Sequence, residues 1–239
     1  MKRIINILKI SLLVIGILAM YGFSKARNES RTLKGIDITF TDANNPFITH
    51  ETIHKLLLDQ KNKDTLELKD LDVFSMERKL RENPMVRKAD VFLTIDGRLG
   101  AKIEQRDPVG RVHLNNGESY YLDADGLQMP LSSVYSARVP LVNEIDESDY
   151  PMMADLLVKI REDEFMRKMV IGVTKKTNGD IELDFRDTKL TALLGKPINI
   201  EKKFQNFKAF HKKSKKDNTL DGYAAVNLKF NNQVIATKR

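Results

Sequence analysis

With 239 residues and neither cysteine nor tryptophan, the chain is long enough for an anchor and two small domains, which packing alone must hold. The missing thiols exclude a disulfide framework, a thiolate zinc site and a cysteine nucleophile. The net charge of +7, from 40 basic and 33 acidic side chains, is spread along the chain and gives nucleic-acid binding little support.

The chain begins with its most apolar stretch. Ile4 to Phe23 reads IINILKISLLVIGILAMYGF, about 20 residues and therefore roughly 30 Å of helix, the thickness of a bilayer's hydrocarbon core. Lys9 interrupts it, but less than two turns from the helix start, so its ammonium can snorkel to the N-terminal head groups. Residues 1–24 are accordingly expected to be a short tail and a transmembrane anchor, and 25–34 a polar tether. The competing reading is a cleaved signal peptide, with Lys2 and Arg3 as its basic head and Ser24-Lys25-Ala26 as a small-x-small site. Lys25 inside that site and Arg27 after it suit cleavage poorly. Basic residues flank the stretch on both sides, so charge counting does not orient it.

Beyond the tether, Ile36, Ile38 and Phe40 alternate as a strand, and Asn44-Asn45-Pro46 turns the chain. Thr49 is placed to cap a helix with the apolar stripe Ile53, Leu56 and Leu57. A second helix is expected from Asp70, showing Val73, Met76 and Leu80 and stopping at Asn83-Pro84. Val91, Leu93 and Ile95 alternate into Asp96-Gly97, and Leu99, Ala101 and Ile103 alternate out, which predicts a hairpin. The order is βααββ over residues 35–106.

Residues 107–239 read as a mainly antiparallel β domain with flanking helices. Asn116-Gly117, Asp125-Gly126 and Asn178-Gly179 each sit between apolar stretches as hairpin turns. One helix is expected near Asp149, with Pro151 in its first turn and Met153, Leu156, Leu157 and Ile160 inward. Another starts near Ile200 and shows Phe204, Phe207 and Phe210. The chain closes on a strand with Val226, Leu228 and Phe230 alternating against Asn227 and Lys229, then Asn231-Asn232, then a strand-like Val234-Ile235-Ala236.

Few residues suggest chemistry. His50-Glu51-Thr52-Ile53-His54 is a literal H-E-x-x-H, in which two histidines one turn apart could hold zinc while the glutamate activates water. It falls in the first turn of a helix whose stripe, Ile53 and Leu57, reads as ordinary packing. Asp123-Ala124-Asp125-Gly126 opens like a calcium loop, but the closing ligands are missing and a hairpin turn explains it better. His211 to Lys216 is the densest basic run; the phenylalanines upstream recur at helical spacing and read as core, and the lysines as a solvated helix end. Nucleophile-elbow and phosphate-cradling motifs are absent, so no cofactor and no small-molecule substrate is expected.

Several motifs, taken in order, carry a resemblance. They are Ile48-Thr49-His50-Glu51-Thr52-Ile53, Asn83-Pro84-Met85-Val86-Arg87-Lys88-Ala89, Ile103-Glu104-Gln105-Arg106-Asp107-Pro108-Val109, Tyr121-Leu122-Asp123-Ala124-Asp125-Gly126 and the terminal run Ala225 to Val234. Together with the anchor they resemble the FtsQ/DivIB family of bacterial cell-division proteins. The resemblance implies an α+β architecture: a single N-terminal transmembrane helix, a POTRA domain and a β domain. It also implies a non-enzymatic divisome scaffold that binds FtsL- and FtsB-type bitopic proteins and helps regulate septal peptidoglycan synthesis. On that reading the chain sits in the inner membrane with a periplasmic ectodomain at the septum. One departure stands out, the insertion of Gln105 between Glu104 and Arg106.

A terminal strand at a sheet edge offers unpaired N–H and C=O groups to an incoming segment. Tyr223, Ala225, Val226, Asn227, Leu228, Lys229 and Phe230 are therefore the expected partner surface, with a proline at Asn227 expected to abolish capture. Two other functions compete with this one, a membrane-anchored zinc hydrolase using His50, Glu51 and His54, and a POTRA-bearing envelope chaperone or translocation component.

Overall fold

The computed structural model describes residues 2–29, 31–41, 46–58, 66–114, 116–186, 188–230 and 233–239. Most of the Asn44-Asn45-Pro46 turn and the Asn231-Asn232 pair lie outside these. The chain forms two compact units, Met1–Gln105 and Arg106–Arg239.

The first unit opens with helix α1 (Lys2–Glu29), whose stretch Lys9–Arg27 is long and apolar enough to cross a membrane and is not buried by the other described residues. The tether expected over residues 25–34 is shorter than the sequence suggested. α1 runs on to Glu29, Thr32 bridges Glu67, and Leu33 is buried in the core of the following domain. That domain comprises β1 (Gly35–Phe40), α2 (His50–Leu58), α3 (Val73–Arg81), β2 (Val86–Leu93) and β3 (Arg98–Gln105). Its three-stranded sheet runs β1-β3-β2, with β1 parallel and β2 antiparallel to β3. Ile53 and Leu57 of α2 and Leu80 of α3 pack on Ala89, Val91, Leu99, Ala101 and Ile103 of the sheet.

Capping residues set the helix starts. The Thr49 hydroxyl accepts from the Thr52 amide at 3.1 Å, the expected cap of α2. α3 starts at Val73, three residues after the Asp70 the sequence suggested. The Asp72 carboxylate takes the Ser75 amide at 3.1 Å, and Leu68–Asp70 closes a separate 3-10 turn. β2 ends at Leu93, so Ile95 belongs to the turn and not to the strand. Gln105 has a structural task. Its buried Oε1 accepts from the Phe47 and Ile48 amides at 2.8 and 3.1 Å, tying the end of β3 to the segment that leads into α2.

The second unit contains β4 (Pro108–His113), β5 (Ser119–Asp123), β6 (Gln128–Met129), β7 (Leu141–Asn143), α4 (Tyr150–Glu162), α5 (Glu164–Met169), β8 (Val170–Lys175), β9 (Ile181–Phe185), β10 (Thr191–Gly195), α6 (Ile200–Lys216), β11 (Tyr223–Asn227) and β12 (Ile235–Lys238). One nine-stranded sheet runs β12-β11-β10-β9-β8-β7-β4-β5-β6. The three expected hairpin turns are present, each with its glycine at positive φ (Gly117, Gly126 and Gly179). Antiparallel pairs predominate, but β4–β7, β7–β8 and β10–β11 are parallel. Parallel neighbours need crossover connections; α4 with α5 supplies the one from β7 to β8, and α6 the one from β10 to β11.

These crossovers cover the sheet. α4 buries Met153, Leu156, Leu157 and Ile160, as its spacing predicts, and lies so close to β4 that a Cβ at Gly110 would meet Leu157 at 2.7 Å. α6 buries Phe204 and Phe207, the latter stacked on Phe185 with ring centres 4.3 Å apart. Phe210 leans edge-on against Tyr223 at 5.3 Å, which fixes the start of β11 to the helix.

Candidate partner-binding edge

The expected partner surface divides once the registers are known. Tyr223, Ala225, Val226 and Asn227 lie in β11, which is paired on both sides. On one side Thr191, Ala192 and Leu193 of β10 face Ala225, Val226 and Asn227; on the other, Asn227, Val226 and Ala225 face Ile235, Ala236 and Thr237 of β12. Over these residues the free edge is therefore β12. The side chains of Val226 and Leu228 are wholly buried, whereas Lys229 and Phe230 are exposed beyond the strand. Val234-Ile235-Ala236 reads as strand-like in the sequence, but its place at the edge does not show there, because alternation reports which face a residue occupies and not which strand lies beside it.

β12 alternates from Val234 to Thr237. Val234 and Ala236 are half-buried against the core, while Ile235, Thr237 and Lys238 are exposed. One flank of its backbone pairs with β11 and the other has no strand beside it among the described residues.

The hairpin that presents β12 is tied to the body of the sheet. Lys229 donates to the Asp180 carboxylate at 2.7 Å, and its own amide is taken by the Asn227 side chain at 2.9 Å. The hydrogen bond from Lys229 holds the Asp180 carboxyl below the usual carboxylate range, and Asn178 and Lys196 act in the same sense. Gly195, at φ +73, leaves room for the Lys229 stem, which a Cβ would meet at 2.7 Å. Lys203 of α6 is buried, and donates to the Leu194 and Lys196 carbonyls at 2.8 and 2.7 Å, clamping the end of β10 on which β11 rests. Burial pushes its ammonium pKa down.

The motifs that suggested chemistry sit elsewhere. His50, Glu51 and His54 are exposed on α2, with Ile53 the motif residue that faces the core; Glu51 pairs with Lys55 at 2.8 Å, and His50 packs edge-on to Phe40. Among the described residues no group of three or more histidines and carboxylates is placed to hold a metal ion. Asp123 is a staple for its turn. Its Oδ1 accepts from the Asp125 and Leu127 amides at 3.0 and 2.7 Å, and its Oδ2 takes Arg106 at 2.7 Å. His211 and Ser214 of the basic run are buried, with the lysines outside them.

A POTRA-like domain model matches residues 32–104, and a family model described as FtsQ/DivIB, C-terminal related, matches residues 107–237. The chain belongs to the FtsQ/DivIB family. No curated protein matches it. This FtsQ/DivIB-family chain is thus a cell-division protein of the divisome type, with a single N-terminal membrane-spanning helix, a POTRA-like domain and a mostly β C-terminal domain with flanking helices.

Proposed function

We propose that this protein is a non-catalytic divisome scaffold that captures FtsL- and FtsB-type bitopic partners by adding a partner strand to β12, and so helps regulate septal peptidoglycan synthesis. α1 holds it in the inner membrane at the septum, with both folded units on the periplasmic side. The observation that carries this reading is the β11–β12 hairpin. A four-residue edge strand is tied to the sheet through the Lys229–Asp180 link of its hairpin, with Ile235 and Thr237 exposed. The surface first read from the sequence, Tyr223 to Phe230, keeps a part in this scheme: Val226 and Leu228 anchor β11 in the core, and Lys229 holds the turn.

Adjacent residues of an antiparallel strand point their N–H groups to opposite sides. Of the prolines Ala236→Pro and Thr237→Pro, one therefore removes an outward donor and the other a donor to β11. The outward one is expected to weaken binding of a soluble FtsB-type ectodomain by at least about tenfold, roughly 1.4 kcal/mol, with the fold unchanged by circular dichroism. Unaltered affinity for both variants contradicts strand addition at β12.

A further inference from the structure

Outside α1, the two most exposed large apolar side chains among the described residues are Ile95, at 95%, and Phe74, at 88%. They come from different elements but lie at one end of the POTRA-like domain. Ile95 is in the β2–β3 turn, and Phe74 is in the first turn of α3. α3 runs antiparallel to β2: the Val91 amide donates to Glu77 at 3.3 Å, and Arg81 donates to the Ala89 carbonyl at 3.4 Å. The start of α3 therefore lies level with the end of β2, where Leu93 is also partly exposed, at 38%.

This is also the end at which the chain arrives from α1. The Arg31 guanidinium donates to the Ile95 carbonyl, the Arg31 carbonyl accepts from the Leu68 amide at 2.9 Å, and the Lys34 amide donates to the Gly97 carbonyl at 2.9 Å. Arg31 is two residues beyond the last residue of α1, Glu29, a reach of at most about 7 Å. The helix from Phe23 to Glu29 adds about 9 Å. Chain connectivity alone thus keeps Arg31 within roughly 16 Å of the apolar end of the span, wherever the helix points. The head-group layer occupies about the first 6 Å of that distance, which leaves at most about 10 Å between its surface and Arg31. β3 then carries the chain away from this end to Gln105, about 23 Å distant.

Charge at this end is mixed. Lys34 and Lys69 are exposed there and Lys25 and Arg27 precede it, while Asp70 and Asp72 are exposed before Phe74 and Asp96 is opposed by Lys34 and Arg98. The apolar pair and the chain's arrival from α1, not the charge, single out this end. We propose that this end of the POTRA-like domain is a bilayer contact, in which Ile95 and Phe74, with Leu93 beside them, seat in the head-group layer of the membrane that α1 spans. The anchor and the domain then form a two-point attachment that restricts the domain's orientation at the membrane. The inference rests on α1 as the span and is independent of the division reading.

Because the chain has no cysteine, single-site labelling is clean. The full chain would be placed in nanodiscs of phosphatidylcholine and phosphatidylglycerol as Ile95→Cys, Phe74→Cys and, at the far end of β2, Lys88→Cys, each carrying an environment-sensitive fluorophore. Shallow spin-labelled lipid is expected to quench the Ile95 and Phe74 probes at least about twofold more than the Lys88 probe, with emission shifted to the blue. Quenching at Ile95 and Phe74 no greater than at Lys88 overturns the proposal. So does a blue shift that appears only when a partner protein is added, which would make this surface a protein contact, and so does failure of the chain to co-elute with the discs.

Discussion

The nine-stranded sheet has two ends, and they are finished differently. At one end β6 is two residues long, Met129 is wholly buried, and the chain that follows is fastened back by Tyr121, whose hydroxyl accepts from the Ala137 amide at 3.0 Å. Asp123 closes the β5–β6 turn from inside. At the other end β12 has four residues, with Ile235 and Thr237 exposed and a register shift in its pairing with β11 near Tyr223, and the Lys229–Asp180 link ties its hairpin to the sheet. Natural sheets blunt an edge they do not use by making it short or covering it. The two ends thus differ in strand length and in how the adjoining chain is fastened, and the strand addition proposed above uses β12.

Breaking the β6 end should have the larger effect on stability and the smaller one on binding. Asp123→Ala removes the acceptor for two backbone amides and leaves Arg106, largely buried, without its carboxylate. A loss of about 3 kcal/mol is expected in denaturant titrations of the C-terminal domain. Affinity for an FtsB-type ectodomain, measured where the variant is folded, should stay within about twofold of the unmodified protein. A larger drop in affinity would mean that the two ends are not separate.

A smaller effect is expected at the β12 end, and it is pH-dependent. The folded Asp180 carboxyl titrates below its unfolded value. Its link to Lys229 is therefore fully present above about pH 4 and is lost as pH falls through the depressed folded value. Amide exchange in the β11–β12 hairpin, corrected for the intrinsic rate, should be flat from pH 7 to about pH 5 and rise below about pH 4. Asp180→Asn should show the loosened hairpin already at neutral pH. Identical protection in that variant would show that packing alone holds β12.

How much of this could be read beforehand follows from what each signal reports. Helix stripes were legible because burial recurs at the helical period: Met153, Leu156, Leu157 and Ile160 all point inward, as do Ile53 and Leu57. Turns were legible where glycine takes positive φ, at residues 117, 126 and 179. The mostly β character of the second domain and the POTRA-like order of the first followed from those signals. The parallel pairs β4–β7, β7–β8 and β10–β11 did not, because strand neighbours across a crossover leave no local trace. β7, with three residues, is too short for a period to show.

The same limit explains why the sequence did not show that β12, and not β11, is the free edge of the sheet. Gln105, which reads as an insertion, turned out to be a long-range cap for the segment before α2, a pairing across more than fifty residues that spacing cannot disclose. Leu33, read as part of a tether, is core because the chain settles onto the domain immediately after α1, and one leucine has no period. The exposed Ile95 counted as a strand position from its alternation, while its place at the arrival point of the chain needed the register of β2 with β3.

The most direct test of the central claim is hydrogen exchange on the full chain in nanodiscs, read residue by residue with and without a soluble FtsB-type ectodomain. The expected result is slowed exchange at alternate amides of Ile235 to Lys238, the outward-pointing ones, with no change at Gln128 and Met129. Unchanged exchange throughout β12, with protection appearing at β6 or on the POTRA-like domain, would contradict it.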